Sequence, residues 1–166
     1  MHYTFKDNKG NNLKVCIWND NWLNSVTIEN KNQDECIINE DKNGKYFIWK
    51  QEKFYLNDYH KITYDEIQNK INKKEWITSD EIIQMILNEG KENIKLLIPL
   101  KYLDRNEKDN KLIICNIIER DTDLYKIIEN YKIRVNYFID NYEYSREFYS
   151  CDLTGFIRNK IIKIIK

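Results

Sequence analysis

The chain has 166 residues, 42% hydrophobic and 33% charged, which places it among globular chains able to bury a core without disulfide or metal and excludes a disordered one. Lys+Arg and Asp+Glu are both 27, a formal net charge of +0, so the chain carries neither the basic excess of a general nucleic-acid binder nor the acidic excess of a nucleic-acid mimic. No apolar run approaches the roughly 18 residues of a membrane span, so no membrane partner is expected.

Cys16, Cys36, Cys115 and Cys151 are widely and unequally spaced and form no C-x-x-C pair, and only two histidines are available, so a structural zinc site is unsupported and neither a metal nor a cofactor is expected. With no apolar leader after Met1, the cysteines read as free thiols in a reducing cytoplasm. Alanine is absent, Ile, Asn and Lys abound, and Lys is preferred to Arg. That is the coding bias of an AT-rich genome, as in an AT-rich bacterium or its phage or plasmid.

The first sixty residues read as an antiparallel meander. Strands are predicted over 3–6 and 13–18, flanking a loop rich in Asp, Asn and Gly, which tolerate turn dihedrals. A second pair is predicted over 25–29 and 35–39, across 30–34. Asn43-Gly44 is a strong turn signal ahead of a third pair, 46–49 and 54–56, separated by the four polar residues 50–53.

The middle reads as helical. Thr63 with Glu66, and Thr78 with Glu81, each form an S/T-x-x-E capping box, in which each side chain caps the other residue's backbone N–H. The first opens a segment with Ile67 and Ile71 four apart. The second opens a helix with Ile82, Ile83, Ile86 and Leu87 on one face and Gly90 as its stop. Apolar runs at 94–100 and 112–119 follow, separated by the charged loop 104–111. Pro99 confines the first run to a sheet edge or an early end, while the second is long enough for a buried strand.

Beyond Asp121 the spacing fits a helix over 122–130 and then a strand, since Tyr131, Ile133, Val135, Tyr137 and Ile139 alternate with mostly polar neighbours. A partner strand is predicted over 146–151, after a loop at 141–145. The end reads as a basic amphipathic helix capped by Asp152, with Leu153, Phe156, Ile157, Ile161, Ile164 and Ile165 on one face. The expected fold is a single α+β domain: an N-terminal antiparallel meander over 1–60, then central helices and a smaller α/β portion over 61–166 that ends in that helix.

Three constellations bear on function. Asp58, Tyr59 and His60 could orient a general base, but adjacent loop residues rarely hold that geometry, and no nucleophile motif accompanies them. Glu119, Arg120, Asp121, Thr122 and Asp123 follow a predicted strand and could hold Mg²⁺ for phosphodiester chemistry, although a helix start needs the same residues. The third is the aromatic–lysine hairpin, with Tyr46, Phe47, Trp49, Lys50, Lys53, Phe54, Tyr55 and Tyr59 as candidate binding residues. Trp and Tyr anchor protein interfaces, and the same rings beside lysines also suit stacked bases and phosphates. No catalytic residue is assigned. The expectation is a non-enzymatic, cytoplasmic module that binds a bacterial protein, as a phage or mobile-element inhibitor of a defence or toxin protein does. A nucleic-acid or nucleotide binder using the hairpin is the first alternative, and a Mg²⁺-dependent phosphodiesterase the second.

Overall fold

The computed structural model describes residues 2–20, 23–29, 34–118 and 132–166. The chain divides into two compact units, Met1–His60 and Lys61–Lys166, at the predicted shift from strand-rich to helix-containing sequence. The fold is α+β, with an N-terminal antiparallel meander.

In the first unit, β1 (His2–Lys6), β2 (Asn12–Asp20), β3 (Leu23–Ile28) and β4 (Asp34–Ile37) form a four-stranded sheet in sequence order. After Ile38, β5 (Asn39–Asp41), β6 (Gly44–Trp49) and β7 (Glu52–Tyr55) form a second, three-stranded sheet. Period-2 alternation sends Phe5, Leu13, Val15, Val26, Ile28, Phe47 and Phe54 into one core. At its centre Phe47 and Phe54 stack with centroids 5.1 Å apart, and Phe5 meets Phe47 edge-on at 5.4 Å. The hairpin break is tighter than the four polar residues suggested. Only Lys50 and Gln51 form the turn, both at positive φ (47° and 68°), which is type I′ geometry built without glycine.

The second unit opens with α1 (Tyr64–Lys73) and α2 (Ser79–Glu89), and both predicted capping boxes are formed. Then come β8 (Lys95–Pro99), the short α3 (Leu100–Leu103), β9 (Leu112–Ile118), β10 (Lys132–Ile139), β11 (Tyr142–Tyr149), α4 (Ser150–Arg158) and β12 (Lys163–Ile165). The five strands make an antiparallel sheet ordered β11-β10-β9-β8-β12. Leu96, Ile98, Ile113, Cys115, Ile117, Ile133 and Val135 share one core with Ile67 of α1, Ile82, Met85 and Ile86 of α2, and Leu153 and Ile157 of α4. Pro99 is the last residue of β8. It faces Leu112 on the β9 side, while β12 pairs only with Lys95 to Leu97, so the missing N–H breaks no ladder.

Three expectations are corrected here. The predicted loop at 141–145 is strand, because Asp140 and Asn141 (φ 50° and 69°) make a two-residue turn and β11 starts at Tyr142. The last helix stops at Arg158 instead of running to the end. Lys160 takes the left-handed conformation (φ 57°), its N–H donates to Ile157 O, and the Ile161 N–H donates to Phe156 O, a Schellman termination. Asp152 lies in the first turn of that helix, and Tyr149 occupies the cap position. The residues beyond pair as β12, with Ile164 opposite Leu96. The Ile164 carbonyl accepts from Tyr64 Oη (3.2 Å) and Gln68 Nε2 (3.3 Å). Strand 132–139 forms as predicted, and the helix expected at 122–130 lies outside the described residues.

A non-glycine residue held at positive φ is strained by about 1 kcal/mol. Lys160→Gly is therefore expected to raise the stability read from urea unfolding by about that amount, since glycine suits this helix-end position. In the same assay Leu96→Ala is expected to cost about 2–5 kcal/mol, the range for a buried leucine.

Candidate functional site

Alternation along the hairpin divides its candidate residues into three groups. Phe47 and Phe54 point inward and are core. Trp49, on the same side, is partly buried, and its indole Nε1 donates to Asp34 Oδ2 at 3.0 Å. Lys50, in the turn, holds its ammonium 4.1 Å from the Trp49 ring centroid. Tyr59 packs edge-on against Tyr3 at 4.9 Å. Only Tyr46, Lys53 and Tyr55 share the outward face, with Ile48 beside them, because Tyr46 pairs with Tyr55 and Ile48 with Lys53.

That outward cluster is self-satisfied. Lys53 Nζ lies 3.8 Å from the Tyr46 ring centroid and donates to Asp41 Oδ2 at 2.8 Å. Tyr55 Oη donates to the same oxygen at 3.0 Å. The Lys53 ammonium, the Asn43 backbone N–H and the Tyr55 hydroxyl together hold the Asp41 carboxyl below its ordinary range. In turn Asp41 raises the Lys53 ammonium. A lysine whose charge is already met by a carboxylate is a weak phosphate ligand, and π-face contact with Tyr46 further fixes it.

A second surface lies on the run whose length suggests a buried strand. In β9 only Ile113, Cys115 and Ile117 point inward, so Leu112, Ile114 and Asn116 project from the opposite face. Burial of the Cys115 thiol pushes its pKa up to about 12. Register places Leu97 across from Ile114. Two residues on from the paired Asn136 and Asn116, Phe138 projects from the same face. Ile114 is 57% exposed, Phe138 55% and Leu112 49%, and no described element covers them. Together they form an apolar patch at one end of the sheet.

The other end of this face is charged. Arg134 Nη2 meets Glu147 Oε1 at 2.8 Å, with Lys132 Nζ 3.5 Å from Oε2. Between the two ends the Asn136 amide donates to Glu143. Arg134 Nε and Asn136 Oδ1 are sealed from water with no partner. The sequence did hold a signal for this surface. LIICNII is apolar on both faces, but an antiparallel sheet carries helices on one face as readily as on two, so an apolar row is left outward.

The remaining constellations do not converge. Asp58 sits in a 3₁₀ turn (Leu56–Asp58), and the His60 backbone N–H donates to Thr4 O at 2.6 Å. Residues 119–123 lie outside the described residues. Among the described residues no group of three or more His, Cys, Asp or Glu side chains could hold a metal ion, and no helix is long and apolar enough to cross a membrane. Cys16, Cys36, Cys115 and Cys151 are all free thiols, the last exposed. No protein-family model, no curated protein and no solved structure matches this chain.

The Asp41–Lys53 pair makes a signed prediction. Because the folded-state pKa of Asp41 is depressed, its contribution to stability is present at neutral pH and is lost as pH falls through that folded value. Lys53→Met should move the Asp41 carboxyl back toward about 3.9. Carboxyl-carbon NMR titration of the two proteins reads the shift directly.

Proposed function

We propose that this protein is a non-enzymatic protein-binding module whose contact surface is the outward face of the C-terminal sheet. The observation that supports the reading is the row Leu112, Ile114 and Phe138: three large apolar side chains, each about half exposed, adjacent on a sheet built on an otherwise ordinary core. Contiguous apolar surface on a soluble fold marks interaction sites, whereas scattered single residues do not. Its surroundings suit a protein interface, with Asn116 and Asn136 beside the patch and the Arg134–Glu147–Lys132 group beyond them.

We take the partner to be a bacterial protein, on the strength of the AT-biased coding, and the mode of action to be blocking by occupation, as a small phage or mobile-element inhibitor works. The nucleic-acid reading of the hairpin is less favoured, because Asp41 already neutralises Lys53.

The experiment is retention of protein from a lysate of an AT-rich bacterium on the tagged full chain, with and without nuclease, followed by quantitative mass spectrometry. One species retained equally in both halves is expected. Phe138→Glu or Ile114→Glu should weaken its capture at least about tenfold, roughly 1.4 kcal/mol, while Tyr46→Ala leaves it intact. Capture that survives both patch substitutions, or that disappears on nuclease treatment, overturns the reading.

A further inference from the structure

Among the described strands, β11 forms a margin of the C-terminal sheet with no strand paired on its outer side. Edge strands in globular proteins are ordinarily blunted by shortness, by charged side chains (lysine above all) or proline, or by a bulge. At the opposite margin β12 has three residues and opens on Lys163. In the first unit β1 is capped where the His60 N–H reaches Thr4 O. By contrast β11 has eight residues, contains no lysine or proline, and pairs with β10 without a bulge from Tyr142 to Tyr149, so its only protection is the charge of Glu143, Arg146 and Glu147, which is of mixed sign.

The two-residue turn makes Ile139 and Tyr142 the first hydrogen-bonded pair, so alternate residues from Tyr142 onward bond to β10. The backbone N–H and C=O of Glu143 and Ser145 therefore point away from it, and no described strand lies on that side.

For a second copy of this chain to pair along that edge, its charges restrict the register. Antiparallel self-pairing about a two-fold axis perpendicular to the sheet puts one residue of β11 opposite itself. Like charges directly opposite are destabilising. A dyad at Glu143 or Glu147 opposes two carboxylates, one at Ser145 sets Glu143 against Glu147, and one at Arg146 opposes two guanidiniums. Tyr144 is the one position from 143 to 147 that escapes this. With the dyad there, Glu143 faces Ser145, and Tyr142 faces Arg146, a ring against a guanidinium. Tyr144, already stacked on Tyr137 at 5.8 Å, meets its own counterpart. Tyr142 and Tyr144, 71% and 47% exposed, are the side chains such pairing would cover.

We propose that the protein self-associates by antiparallel β11–β11 pairing across a dyad at Tyr144, joining two five-stranded sheets into one. The axis keeps both outward faces on the same side, so two apolar patches are presented together. The pairing does not depend on what those patches bind.

Sedimentation equilibrium on the full chain tests it. A concentration-dependent dimer is expected, and a monomer up to the solubility limit overturns the proposal. Ser145→Glu, an exposed substitution, sets carboxylates opposite Glu143 and should give monomer. Adding Glu143→Lys should restore the dimer. A Ser145→Glu protein that still dimerises overturns the edge, and failed rescue overturns the register. With Cys151→Ser as background, Tyr144→Cys should cross-link to covalent dimer under oxidised glutathione and Glu143→Cys should not. The reverse pattern places the dyad elsewhere and overturns the proposal.

Discussion

The inward apolar row of the five-stranded sheet is the constraint on which the second unit depends. Leu96, Ile98, Ile113, Cys115, Ile117, Ile133 and Val135 bury themselves against α1, α2 and α4, each large aliphatic chain contributing on the order of 1.5–3 kcal/mol. Side chains on strands paired without a bulge alternate, so seating that row inward forces Leu97, Leu112, Ile114 and Phe138 outward. The apolar patch is thus not an accident of folding. The fold needs only one face of β9, and the sequence places large apolar residues on both.

The same alternation reorganises the aromatic hairpin. Eight residues that look like one cluster along the chain separate into core, margin and surface, because neighbours in sequence face opposite ways. Phe47 and Phe54 become the centre of the N-terminal core. Tyr46, Lys53 and Tyr55 close around Asp41, a residue from the preceding strand. A group that reads as a basic–aromatic binding strip becomes, in space, a neutralised cross-strand network.

The termini of elements tell a second story. Lys50, Gln51, Lys74, Asp140, Asn141 and Lys160 all adopt positive φ, in a chain with only four glycines. Two of these residues end helices and four build hairpin turns. Tertiary packing holds them there, because the strands and helices they join gain more by closing than the left-handed residues lose. At Lys74 the helix ends with Glu75 N–H on Lys70 O, the same pattern that stops α4 at Lys160.

The sequence alone determined the α+β class, the antiparallel meander, both capping boxes and the strand after residue 131, since each rests on interactions between residues close along the chain. Hydrophobic period and hydroxyl–carboxylate spacing report such local physics directly. Tertiary structure alone decided which face of 112–118 was buried, where the last helix stopped, and that 163–165 would pair with β8. Ile161, Ile164 and Ile165 satisfy a helical period as well as a strand, and no glycine marks the break at Lys160. Only the open side of β8, with Tyr64 and Gln68 donating to the Ile164 carbonyl, makes the strand the better solution. Charge was equally illegible from sequence. Lys53 reads as a free cation along the chain, and it takes the fold to bring Asp41, twelve residues away, to within 2.8 Å of it.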